Sequence, residues 1–102
     1  MIHRMTNEER KEQFQQQLHN DAMRVVGEFL EDSKYDEVKA DYKLHFEGII
    51  DAINNPCNTL RTCAGEIQIC SPVIAEAISN DMLFFQELHR AIKEGLLTED
   101  ML

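Results

Sequence analysis

The chain has 102 residues, of which 43% are apolar and 28% charged, and its 19 acids against 10 Lys and Arg leave a net charge of −9. That length makes one domain with a modest core, and the balance of apolar to charged residues excludes a disordered chain. The charge disfavours phosphate backbones and anionic membrane surfaces, and the scarcity of Gly and Pro, with no alternation of β-branched and polar residues, points away from a sheet.

Met1 to Thr6 leads straight into a polar segment without an apolar leader, so the sequence reads as that of a cytoplasmic protein. Thr6-Asn7-Glu8-Glu9 fits a capping box at a helix start, with the acids suited to the positive end of the helix dipole. Phe14, Leu18, Ala22, Val25, Val26, Phe29 and Leu30 then recur at steps of three and four, which predicts a helix over about 7–32 with one apolar stripe. Such a helix is longer than a small bundle covers, and an uncovered stripe seeks a partner or a second copy.

A break is expected at Asp32-Ser33, with Ser33 capping a second helix over about 34–54. Its stripe is Tyr35, Val38, Tyr42, His45 or Phe46, Ile49, Ile50 and Ile53, and Pro56 ends it, because the residue before proline resists the helical conformation. Cys57, Leu60, Cys63, Ala64, Ile67 and Cys70 have helical spacing, which predicts a shorter helix over about 57–69 weakened by Gly65. Ser71-Pro72 marks a restart, a capping hydroxyl followed by proline at the first helical position. Ile74, Ile78, Met82, Phe85, Leu88 and Ile92 keep one phase, so 72–94 reads as one helix, although Ser79-Asn80-Asp81 could divide it. Gly95 suits a C-cap with Leu96 folding back. The expected architecture is an all-α antiparallel bundle of about four helices, a single domain over 1–102 with short flexible ends at 1–5 and 97–102.

No constellation for chemistry stands out. The four His are far apart, no Glu-x-x-His or His-x-x-x-His spacing occurs, and Cys63 and Cys70 on one helix face would lie about 10 Å apart, so no metal site is expected. Gly27, Gly48, Gly65 and Gly95 are isolated, which argues against a phosphate loop; within helices such residues more often serve close packing. The three Cys form no Cys-x-x-Cys pair and read as reduced, small apolar side chains. His45, one turn after Asp41, reads as a boundary histidine bonded to Asp41 or to water. No catalytic residue, cofactor or metal is expected.

The adjacent pair Phe84-Phe85 carries more information. Neighbours on a helix point 100° apart, so a narrow core takes only one of them. Phe85 is in phase with the stripe, which leaves Phe84 beside Met82 as a partner-binding anchor unless a wide core takes in both rings. Phe84, Met82 and Phe85, with Tyr35 and Tyr42, are the expected anchors, and Asp32, Asp36 and Glu37 the acids that steer a basic partner. The leading expectation is a non-enzymatic protein-interaction or regulatory module with an apolar patch and an acidic rim, binding another protein and self-associating as a homo-oligomer. Three other readings are an acidic nucleic-acid mimic, weakened by Lys34, Lys39 and Lys43 among its acids; a helix-turn-helix over 60–92, weakened by the absence of Lys or Arg from 72 to 89; and a small-ligand binder. Short, acidic, motif-free helical chains are also a style common among accessory proteins of phages and mobile elements, an analogy of type only.

Overall fold

The computed structural model describes residues 4–54, 60–62, 65–67 and 71–102. They form an all-α bundle of four helices with one small hairpin between the second and third. Helix α1 is Asn7–Glu31, opened by the expected cap: Thr6 Oγ1 accepts the Glu9 amide at 3.1 Å and meets the Glu9 carboxylate at 3.3 Å. Its break falls where expected, but Asp32 rather than Ser33 is the capping residue. The Asp32 carboxylate accepts the Lys34 amide at 3.0 Å and starts a short 3-10 turn, Ser33–Tyr35, before α2, Asp36–Asn54. Lys39 reaches back across this turn, donating to the Leu30 carbonyl at 3.1 Å and pairing with Asp36 at 2.9 Å. A cation at the end of α1 offsets the dipole's negative pole and satisfies a carbonyl that the helix leaves open.

The expected helix over 57–69 is replaced, in its described part, by two antiparallel strands. β1, Leu60–Thr62, pairs with β2, Gly65–Ile67, in the register Leu60–Ile67, Arg61–Glu66 and Thr62–Gly65. Gly65, which costs a helix about 1 kcal/mol relative to Ala, stands at the first position of β2. The readings of Cys57, Cys63 and Cys70 fall on residues outside those described.

The bundle still has four helices because 72–94 divides. α3 is Pro72–Asn80 and α4 is Met82–Lys93, with Asp81 between them at φ −142°, ψ 64°. Ser71 opens α3 as expected, its Oγ accepting the Val73 amide at 3.2 Å, and it also donates to the Asp41 carboxylate of α2. Gly95, at φ 79°, closes α4: Leu96 N–H bonds to Ala91 O at 2.8 Å and Gly95 N–H to Ile92 O at 3.1 Å. This is the paired C-terminal bonding that a left-handed residue permits. The tail expected to be flexible from 97 is anchored instead, with Leu97 buried in the core and Leu102 packed against it.

The core joins α1 to α4, and α2 to α3 and α4. Its largest fully buried side chains are Tyr42, Phe29, Phe85, Ile49, Ile74, Ile78, Leu88 and Leu97. Gly27 does not serve close packing: a Cβ there would meet nothing within 4 Å. Among the described residues no helix is long and apolar enough to cross a membrane.

Candidate functional site

The sequence grouped Phe84, Phe85, Tyr35 and Tyr42, and the fold does bring them together, but inside. Phe85, Tyr42 and Tyr35 are buried, so they offer a partner no surface. Phe84 is half-buried because Tyr35 covers it: the two rings stack at 4.7 Å and 11°, with Phe29 at 6.4 Å on another side. Phe85 stands edge-on to Phe84 at 5.3 Å, and Tyr42 edge-on to Phe29 at 5.5 Å. The core is wide enough for both neighbours of the Phe84-Phe85 pair because the 3-10 turn delivers Tyr35 to it. Met82 is half-buried at the start of α4.

The polar groups around this cluster are engaged with one another. The Tyr35 hydroxyl donates to Asp81 Oδ2 at 3.1 Å and the Lys34 ammonium lies 4.6 Å from the Tyr35 ring centre. Burial pushes the Tyr35 hydroxyl above its ordinary pKa, so it stays a neutral donor at neutral pH. These residues line, with Val38, Ala77, Asn80 and Phe85, a cleft of about 370 Å³ over the α3–α4 break. At its floor the Tyr35–Asp81 bond ties the 3-10 turn to the junction of the two helices. Asp32 and Asp36 likewise serve the turn through Lys34 and Lys39, while Glu37 is exposed on α2.

Deeper in the core, Tyr42 Oη and His89 Nε2 lie 3.0 Å apart. Burial lowers the His89 pKa to about 4 and raises that of Tyr42, so both are neutral at pH 7. His89 Nδ1 is buried without a hydrogen-bond partner among the described residues. Asp41 is used by Ser71, and His45 instead borders a shallow hollow of about 310 Å³ with Lys43, Leu44, Glu47 and Glu99. Among the described residues no three His, Cys, Asp or Glu are placed to hold a metal ion. The helix-turn-helix reading loses the described part of its first helix to the hairpin.

What stands open is the first half of α1. From Arg4 to Asn20 no residue is buried; from Ala22 to Phe29 the same stripe enters the core. Phe14 is 62% exposed and Leu18 half-buried, in phase with Ala22, Val25 and Phe29. Fourteen helical residues, 7–20, therefore form an arm of about 21 Å beyond the packed part of the helix. Residues 1–19 hold three acids and three bases, net zero, while 20–102 hold sixteen acids and seven bases, net −9. The sequence signalled this in the length of α1, but nothing local marked which end stays uncovered, so Phe14 was missed as an anchor. Leu44 and Leu83 are also exposed, each as a single apolar side chain, which is ordinary for a protein surface. No family model matches this chain, and no curated protein or solved structure is significantly similar to it.

Proposed function

We propose that this chain is a non-enzymatic, cytoplasmic protein-interaction module that engages another protein chain through the stripe on the free half of α1. One observation carries the reading: Phe14 continues the core stripe of α1 yet is 62% exposed, with Leu18 half-buried beside it. A helical stretch this short is marginal in water by propensity alone, and an apolar face gives it a reason to be covered. The odd number of cysteines without a Cys-x-x-Cys pair supports a reducing compartment.

A photoreactive residue placed at 14, 18, 44 or 83 in the native host tests this. Adducts are expected from positions 14 and 18. Adducts from 44 or 83 alone would move the working surface elsewhere and overturn the reading.

A further inference from the structure

We infer that the occupant of the α1 arm is a second copy of this chain, laid antiparallel on the first. The inference rests on the arm being the contact surface and adds the identity of the partner. Along the open stripe stand Lys11, Phe14, Leu18 and Asp21, at steps of three, four and three. That order is a palindrome with complementary ends: base, apolar, apolar, acid. A two-fold axis between Phe14 and Leu18 sets each Phe14 against the Leu18 of the other copy. It also sets each Lys11 against the other copy's Asp21. Steps of three and four are the spacing of a helix–helix seam, in which antiparallel partners meet in such layers.

Within one copy the pairing is impossible, because Lys11 and Asp21 are ten residues apart, about 15 Å along the axis. Asp21 is half-buried where the arm meets the bundle, and Lys11 is exposed. Charge selects the same occupant. The arm, residues 7–20, holds three acids and two bases, net −1, and the rest of the chain carries −8, so a basic partner is drawn to the body rather than to the arm. Two copies meeting arm to arm keep their acidic bodies at opposite ends of the contact. A C2 contact of this kind uses one patch twice, so a single surface feature suffices. In this register residues 11–21 of each copy face one another, about 15 Å of helix, which makes a contact at the low end of specific interfaces, about 1,200 Å² or less, and a dimer that dissociates on dilution.

Sedimentation equilibrium of the purified full chain, from about 1 to 500 µM, reads this directly. The native chain is expected to rise from 11.8 kDa toward twice that mass. Lys11→Asp and Asp21→Lys, each alone, place like charges in both layers and should weaken self-association by on the order of tenfold or more. An equimolar mixture of the two variants pairs Asp with Lys in both layers and should recover the native affinity. Phe14→Asp should be monomeric with unchanged circular dichroism, since its side chain is mostly exposed. A chain monomeric at every concentration, with cross-links from position 14 reaching a different protein, overturns the second copy and leaves the contact surface standing. A dimer indifferent to Phe14→Asp overturns the arm as its seam. A dimer that Phe14→Asp dissolves, with the charge-variant mixture staying monomeric, overturns the antiparallel register.

Discussion

Phe14 and Phe29 stand on one stripe of one helix, and they differ only in what lies opposite. Phe29 meets Tyr35, Tyr42 and Phe84 and is fully buried; Phe14 stands 62% exposed beyond the end of the packed bundle. The helical pattern states which face is apolar but not where along the helix that face is covered. Coverage is set by the other helices, and α4 spans only Met82–Lys93 before Gly95 turns the chain away. An apolar stripe that outruns its cover marks the surface available to a partner.

Truncating the two phenylalanines measures this difference. Phe29→Ala is expected to cost about 3–5 kcal/mol in chemical denaturation, the transfer of a whole ring plus the cavity it leaves. A loss under about 1 kcal/mol would mean that the second half of α1 is not packed as described.

The next largest effect lies in the buried pair beneath it. An unfolded chain protonates His89 near pH 6.5 and the folded one only near about 4. The unfolded state therefore binds more protons in that window. The stability tied to His89 is complete above about 6.5 and is lost as the pH falls toward 4, by roughly 3 kcal/mol in all. Comparing the pH dependence of unfolding for the native chain and His89→Leu isolates this slope; identical slopes would place His89 in water.

The legibility of the fold divides along the same line between local and distant causes. Thr6, Ser71-Pro72 and Gly95 act on residues within one turn of themselves, and the sequence placed all three helix ends correctly. The division at Asp81 was offered by Ser79-Asn80-Asp81 but weighed below one continuous helix, because the contact made there, from the Tyr35 hydroxyl to the Asp81 carboxylate, comes from 46 residues away. Ile78 and Phe85 both remain buried across it, so the periodicity never records the change of direction. For Phe84 the sequence left two readings, an open anchor or a ring taken in by a wide core, and its own helix could not decide between them; a ring from the 3-10 turn covers it. The helical spacing of Leu60 and Ile67 misled because spacing along the chain does not record strand pairing, which sets these two residues opposite one another. For the candidate site, the length of α1 announced that something would stay uncovered, but the uncovered end depends on where α4 stops.

Smaller effects sharpen the comparison. Gly27→Ala adds a methyl that meets nothing and removes a helix penalty, so it should raise stability by about 0.5–1 kcal/mol. A loss there would mean an unseen close approach at the packed half. Phe14→Ala should change the stability of the dilute chain by no more than about 0.5 kcal/mol, as is usual for surface positions, while Phe29→Ala removes several times that.

Amide hydrogen exchange along α1, followed at low and high protein concentration, reads whether the first half of the helix is uncovered in one copy and covered in two. Fast exchange from about residue 10 to 20 and slow exchange from 22 to 31 are expected in the dilute chain, with protection of the first segment rising as concentration increases. Uniformly slow exchange along the whole helix in the dilute chain, unchanged on concentration, would contradict that expectation.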